Sequence, residues 1–407
     1  MKPFVSIKEA IKEIKLGRLL IVVDSPNREN EGDFFIPGQK VSADKTNFMI
    51  TQGRGLLCVA IDLAIAGRLD LPLMVPAYQN QEKTQVNFTV SVNAAEGITS
   101  GVSAFDRTKT IQVLANPKSQ AKDLVRPGHI LPLLAQPNGL ESRQGHTEAA
   151  VALSRLAGYS SCGVLCEIVK PDGRMARLPD LKKLAEEFDL KIVAISDLKK
   201  IIKPVLRPNK KLPTVVRTAA ATMPNQFGQF KIMVYKSFFD NAEHTVLLYG
   251  QTKKRMLVRV HSSCLTGDTL GSRRCDCGPQ LQESLRLIKQ AGSGLILYLD
   301  QEGRGIGLSN KIKAYALQDK GLDTFEANEA LGFGADLRGY KVAAQILQDL
   351  GVSEVNLLTN NPDKVKSLEK NGIKVVKRLP LEIKPDAINA KYLATKKNKM
   401  GHQLTSV

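Results

Sequence analysis

Three cysteines in one short run can hold a metal. In HSSCLTGDTLGSRRCDCG, residues 261–278, Cys264 stands eleven positions before Cys275, and Cys275 two before Cys277. The short spacing lets two thiolates reach one ion from a tight turn, and zinc is the natural partner of such ligands. Arg273, Arg274 and the start of a helix at CGPQLQESLRLIKQ favour the ionised form. Three buried cysteines acting as small hydrophobes fit poorly with a polar run in which two of them bracket Asp276. A structural zinc wants four protein ligands, and His261 is available as the fourth. A catalytic zinc keeps that position open for water. The spacing leaves both readings open.

Two further stretches invite anions. QEGRGIGL (301–308) follows the buried strand GLILYLD (294–300), and TNNPDK (359–364) follows VNLLT (355–359). Backbone N–H groups of such turns, with Arg304 and Lys364, can meet phosphate. Taken alone, each is weak: a helix cap at Asn361 with a solvated lysine explains the second equally well. Beside a thiolate metal site they favour a nucleotide enzyme. In the first half, DSPNRENEGDFFIP (24–37) packs Arg28, Glu29, Glu31 and Asp33 behind the strand LLIVVD (19–24), where α/β folds often place a site. A solvated turn explains this stretch as readily. RQGHTEAA (143–150) offers His146 and Glu148, RPGHILPL (126–133) offers His129, and GVLCEIV sets Glu167 in an apolar strand, which is costly without a partner or a task.

Positioning these groups takes alternating helices and strands. Ser6 and Glu9 form a capping box for a helix with Ile7, Ala10, Ile11 and Ile14 on one face and Gly17 at its end. Helices are expected at 179–190, 196–202, 309–321, 338–351 and 362–372, and a strand at 191–195. KPVLRPNKKLP (203–213) lacks periodicity and reads as a Pro-rich basic linker. The fold class is therefore α/β: two mixed α/β domains, residues 1–203 and 204–407. No apolar run is long enough to span a bilayer, and the start reads as an amphipathic helix rather than a signal. A cytoplasmic protein with reduced cysteines and no membrane partner is expected. The net charge of +18 suits small anionic substrates; with 5% aromatic residues and no Trp, stacking platforms for nucleic acid are scarce.

VRVHSSCLTGDTLGSRRCDCGPQL, QEGRGIGL, GLDTFEANEALGF, LLTNNPDK and the ending KMGH resemble GTP cyclohydrolase II, in family order through nearly all of residues 205–402. The resemblance implies opening of the imidazole ring of GTP with release of formate and pyrophosphate. It implies a catalytic zinc on Cys264, Cys275 and Cys277, with water as its fourth ligand. Arg259, Val260, His261, Ser262, Ser263, Gln280, Glu302, Gly303, Arg304, Thr324, Thr359 and Lys364 fall where the family contacts GTP. Asp336 falls at the proton acceptor, Arg338 at the arginine that takes part at the α-phosphate, and Tyr315 near the reacting ring. Mg²⁺ is expected on the triphosphate. Ser263 stands where the family usually has Glu.

RENEGD, AAEGITSGVSAFDR, RPGHILPL and GHTEA resemble 3,4-dihydroxy-2-butanone 4-phosphate synthase across roughly residues 4–202. That resemblance implies conversion of ribulose 5-phosphate to a four-carbon phosphate and formate, with Mg²⁺ or Mn²⁺ on Glu29 and His146. Arg28, Glu29, Asp33, Glu167 and the run Arg143, Gln144, Gly145, His146, Thr147 are implied to bind substrate, and His129 and Glu167 to serve catalysis. Ser25, Pro26 and Asn27 replace acidic residues usual in the loop, Gln52 a common His, and Asn87 a small residue, while Cys58 is kept. The expectation is a bifunctional riboflavin-biosynthesis enzyme, a homodimer by resemblance. The alternatives are an active second half on an inert first half and, more remotely, a zinc-containing nucleic-acid-binding protein.

Overall fold

The computed structural model describes residues 4–75, 80–205, 215–238, 240, 242–334, 336 and 338–405. It divides into two compact units, Met1–Leu212 and Pro213–Val407. Among the described residues, no helix is long and apolar enough to cross a membrane.

In the first unit the apolar runs become strands β1 (Leu20–Val23), β2 (Gly32–Pro37), β3 (Arg54–Ile61), β4 (Val92–Ala94), β5 (Leu124–Leu134), β6 (Cys162–Ile168) and β7 (Lys191–Ala194). Their order in one sheet is β4-β5-β3-β6-β2-β1-β7. The sheet is mixed: β1 runs parallel to β7 and β3 to β5, while β2 is antiparallel to both β1 and β6. Every residue of β1 and β2 is buried, so both faces of the sheet are covered and the strands read as unbroken apolar runs rather than as alternation. On one face, Ile7, Ala10 and Ile14 of the helix Ile7–Lys15 join Ala149, Ala150 and Leu153 of the helix His146–Leu156 over Leu20, Val22 and Phe35. On the other, Phe34 meets Phe48 with ring centroids 5.3 Å apart.

The second unit contributes β8 (Val215–Asn225), β9 (Gly228–Ser237), β10 (Glu243–Tyr249), β11 (Arg255–Ser262), β12 (Gly294–Leu299), β13 (Glu354–Leu358) and β14 (Lys374–Leu379), in the order β14-β13-β11-β12-β10-β9-β8. β8, β9 and β10 form an antiparallel meander, whereas β12, β11, β13 and β14 run parallel. The three adjacent strands β13, β11 and β12 therefore end on one edge of the sheet. There they release the turns that begin at Thr359, Ser263 and Asp300, the arrangement in which α/β sheets build sites.

Some boundaries differ from the sequence expectation. The helix expected from 338 starts at Lys341, because the Arg338 N–H is bonded to Asp336 Oδ1 at 3.0 Å and so is held in a turn. The helix Gly307–Gln318 begins two residues early. The short helix expected at 196–202 runs Ile195–Val205, so the first three residues of the expected linker are helical. The rest of that linker, 206–213, lies outside the described residues.

The capping box is formed: Ser6 Oγ accepts from the Glu9 N–H at 3.3 Å, and Glu9 Oε2 from the Ser6 N–H at 2.9 Å. Ser6→Ala is expected to lower stability by about 1 kcal/mol, seen as an earlier urea midpoint. Ser42→Ala, at a helix start whose side chain makes no capping bond, should leave the midpoint in place.

Candidate functional site

Each unit gathers one constellation. In the second, Cys264 lies just past the end of β11, and Cys275 and Cys277 lie at the start of the helix Cys277–Gln290. Their three sulfurs lie within 4.8 Å of one another, and Cys264 Sγ is 3.6 Å from Cys275 Sγ. Two thiolates on a tetrahedral zinc at ~2.3 Å would stand roughly 3.8 Å apart, so the set fits the ion. A glycine makes the cluster possible: a Cβ at Gly267 would stand 2.7 Å from Cys275 Sγ and 3.1 Å from Cys264 Sγ. Hydrogen bonds from Cys275 and Cys277, followed by the Lys311 ammonium, hold the Cys264 thiol far below its usual range. Bonding to that sulfur pushes Cys275 up to about 11.

His261 does not join them. Its Nε2 faces Asp268 at 3.1 Å, and its ring stacks on Tyr298 with centroids 5.5 Å apart. Asp268 also accepts the Cys264 N–H at 3.0 Å and the Tyr298 hydroxyl at 2.9 Å, so it ties the cysteine loop to the two strand ends. A fourth protein ligand from His261 is thus unsupported.

The cavity beside the cysteines encloses about 1090 Å³, part of it open to solvent. Of the residues expected from sequence, Arg259, His261, Ser262, Ser263, Gln280, Glu302, Gly303, Arg304, Tyr315, Thr324, Arg338, Thr359 and Lys364 line it. Two do not reach the wall. The Val260 side chain points into the core, as alternation along β11 demands when Arg259 and His261 face the cavity; only its carbonyl takes part, accepting from Lys364 Nζ at 2.8 Å. Asp336 stands behind Arg338, whose Nε donates to it at 2.8 Å. Burial would raise the Asp336 pKa, but the guanidinium outweighs it and keeps the carboxyl below its ordinary value.

Lys311 and Lys396 also line the cavity and were not singled out from sequence; Arg274, read there as support for the thiolates, lines it too. Lys311 Nζ sits 3.1 Å from Cys264 Sγ and 2.7 Å from Glu302 Oε1. Its helical spacing of four from Tyr315 was the available signal. Seven cationic side chains and one carboxylate face this space. Gly303 and Arg304 both have left-handed backbone, with φ of 61° and 62°, and neither terminal nitrogen of the Arg304 guanidinium has a hydrogen-bond partner. Burial and then the neighbouring Arg259 and Arg338 drive the Lys364 pKa well down. Burial and the surrounding cations bring His402 to about 3.

In the first unit the loop between β1 and β2 folds over Asp24, which accepts the N–H groups of Glu29 and Glu31 at 3.0 and 2.8 Å. Arg28 bridges Asp24 and Glu29 at 2.9 and 2.8 Å. His146, the first residue of its helix, lies 3.9 Å from Glu29 and 3.8 Å from Asp33. One ligand atom each of Asp24, Glu29 and His146 fall within 4.8 Å of one another, an oxygen-rich set with one imidazole that suits a hard cation. Asp24 was missed in the sequence; its signal was an acid closing an apolar strand. Burial lowers the His146 pKa and keeps the ring neutral, as ligation requires.

Asp33 and Glu167 face each other across β2 and β6. Burial, reinforced by Glu167 and Glu29, lifts the Asp33 pKa well above the usual carboxyl range. Glu167 Oε2 accepts the Leu56 N–H at 2.7 Å. Arg143 is held by Glu148 at 2.8 Å and the Thr84 carbonyl at 2.8 Å; Gln144 is exposed, and Gly145 and Thr147 are buried beside His146. His129 is not brought into this group: it sits on β5, with β3 and β6 between it and β2. Asn93 accepts its N–H at 2.8 Å and faces its Nδ1 at 3.1 Å, which leaves Nε2 to carry the ring proton.

The family model for 3,4-dihydroxy-2-butanone 4-phosphate synthase matches residues 8–201, and that for GTP cyclohydrolase II matches residues 216–380. A relative in Chlorobium phaeovibrioides, the riboflavin biosynthesis protein RibBA, is 50% identical over 403 residues, 98% of this chain and 96% of its own length. The proteins of the same name in Endomicrobium trichonymphae and Aquifex aeolicus are each 47% identical; the former match covers 100% of this chain and 99% of the relative, the latter 98% of each.

Metal analysis of purified protein is expected to give one tightly held zinc per chain. Cys275→Ser should remove it, and Gly267→Val, which crowds the sulfurs, should weaken its retention against a chelator.

Proposed function

Since the chain belongs to the family of riboflavin biosynthesis proteins that join 3,4-dihydroxy-2-butanone 4-phosphate synthase to GTP cyclohydrolase II, we propose that each unit's constellation is the active site of one of these two enzymes. The chain is bifunctional, a lyase and a hydrolase. The lyase reading takes ribulose 5-phosphate to 3,4-dihydroxy-2-butanone 4-phosphate and formate. The hydrolase reading takes GTP to a diaminopyrimidine ribosyl phosphate, formate and pyrophosphate. The observation that carries the second assignment is the convergence of seven cations with three thiolate ligands at the ends of adjacent parallel strands of one sheet. An inert first half finds no support, since its own family model spans nearly all of it. A homodimer without nucleic-acid partner completes the reading.

In the hydrolase half, Cys264, Cys275 and Cys277 would hold zinc, which supplies a Lewis acid with one open position. Glu302 takes the Leu265 N–H at 2.5 Å and the Lys311 ammonium, which orients the Gly-rich turn over the sulfurs. Arg304 has unused donors for a phosphate oxygen, and Arg259 and Lys364 add positive charge. Tyr315 Oη lies 3.3 Å from Thr266 Oγ1, beside the cysteine loop. Arg338 keeps Asp336 ionised and able to accept a proton when the guanidinium shifts to an α-phosphate. Mg²⁺ on the triphosphate belongs to this reading.

In the lyase half, Glu29 and His146, with Asp24 beside them, would hold Mg²⁺ or Mn²⁺, which supplies an electrophile for sugar oxygens. Burial and the neighbouring Glu167 raise the Asp33 pKa well above the usual carboxyl range, which favours it as the proton donor among these acids. Arg28 and Arg143 offer charge for the phosphate, and Glu167 serves proton transfer; His129, to which the resemblance also gives a catalytic role, stands apart on β5. Ser25, Pro26 and Asn27 are exposed at the loop tip and make no part of the ligand set. Their loss of negative charge should weaken cation binding without abolishing it.

Formate release from each substrate tests the assignment. Cys275→Ser should end release from GTP and spare that from ribulose 5-phosphate; Glu29→Ala should do the reverse. Formate from neither substrate at saturating Mg²⁺ or Mn²⁺ would overturn it. Restoring Asp at 25 and 27 and Glu at 26 should lower the Mg²⁺ needed for half activity by up to roughly 10-fold.

A further inference from the structure

The wall of the second-unit cavity has a contributor beyond residue 380, where the family match ends. The helix Ala390–Met400 and the turn after it bring Tyr392, Lys396 and His402 to that wall. Lys396 Nζ is buried against Asp276 Oδ1 at 2.6 Å. Asp276 lies between Cys275 and Cys277, and its second oxygen accepts from Gln280 Nε2 at 2.6 Å. Gln280 Oε1 in turn accepts from Arg259 Nη2 at 2.5 Å, and Arg259 Nη1 donates to the Leu358 carbonyl at 3.0 Å. An unbroken chain of hydrogen bonds thus runs from this helix, through the carboxylate between two metal ligands, to two residues placed on GTP.

The helix is fastened at other points as well. Lys399 pairs with Asp323 and Glu326 at the start of the helix that carries Thr324, and the Gln403 N–H donates to the Asn360 carbonyl at 2.9 Å, in the turn after β13. Lys396 also lies 4.5 Å from the centre of the Tyr392 ring, whose surface approaches Arg304 at 5.9 Å. An amide such as Gln280 can rotate and present either its oxygen or its nitrogen. Here donors engage both Asp276 oxygens, Lys396 Nζ at Oδ1 and Gln280 Nε2 at Oδ2, so the amide nitrogen faces Asp276 and its oxygen faces Arg259.

We propose that this C-terminal helix is part of the GTP site and that Lys396 is a positioning residue, which acts through Asp276 to fix the Gln280 amide and, through it, the Arg259 guanidinium. The proposal rests on reading the cavity as the GTP site. The hydrogen bond to a cysteine sulfur comes from Lys311, on Cys264, whereas Lys396 bonds the Asp276 carboxylate, so its loss should disturb substrate alignment before it disturbs the metal.

The test is steady-state GTP turnover by the full-length Lys396→Met, Asp276→Asn and double variants, with zinc content and ribulose 5-phosphate turnover measured on the same samples. Each single variant should lose roughly 10- to 100-fold in kcat/KM for GTP, more of it in kcat than in KM, because the remaining cations still bind the triphosphate. Zinc content and the ribulose 5-phosphate reaction should match the parent, and the double variant should be no worse than the poorer single one. Parental kinetics in Lys396→Met, zinc lost along with activity, or losses that multiply in the double variant would each overturn the proposal. Cys275→Ser separates the two levels: if it still turns over GTP, the reading of the cavity itself has failed.

Discussion

Like charges brought together out of water repel, and the second unit is organised around that constraint. Seven cations share one cavity wall, and nearly all are moored to an oxygen or sulfur of the fold. Lys311 is held by Glu302 and Cys264, Lys396 by Asp276, Arg338 by Asp336, Arg274 by Asp319, Lys364 by the Val260 carbonyl, and Arg259 by Gln280 and the Leu358 carbonyl. The moorings are spread over strands, helix ends and the turns between them, so each charge is held by the fold itself. Fixed charge of this kind need not reorganise when an anion arrives, which is where preorganised sites gain over water.

The first unit solves the opposite problem. Asp24, Glu29, Glu31, Asp33 and Glu167 crowd one end of its sheet, with Arg28 as the cation bound between two of them. Asp33, the most enclosed, answers with a raised pKa. A divalent cation would take over the compensation that Arg28 now supplies to Asp24 and Glu29, which would free the guanidinium for a phosphate. The two units thus use one rule with the signs exchanged.

Much of this could be read from the chain because the chemistry was local. The cysteine run, the Gly-rich turn at 301–308 and the turn at 359–364 are each contiguous, and the strands before them are apolar enough to recognise. What escaped was the work of residues that act across the fold. Lys311 reaches the cysteine loop from a helix 47 positions beyond Cys264. Lys396 meets Asp276 over a separation of 120 positions. No local pattern encodes such pairs. The helix Ala390–Met400 could have been found, since Gly401 with φ of 63° closes it in the way a glycine after a lysine-rich run suggests. Val260 could likewise have been set aside by strand alternation.

Arg304 shows what such a site asks of a protein. A left-handed backbone costs a non-glycine residue about 1 kcal/mol or more, and a partnerless buried guanidinium adds to the debt. Glycine at that position would relax the turn and remove the orphaned donors at one stroke. A laboratory lineage selected only for heat resistance would therefore drift toward glycine there, and would grow sturdier as it lost its hold on phosphate. Robustness and catalysis pull this one residue in opposite directions, and its arginine records which of them natural selection has favoured.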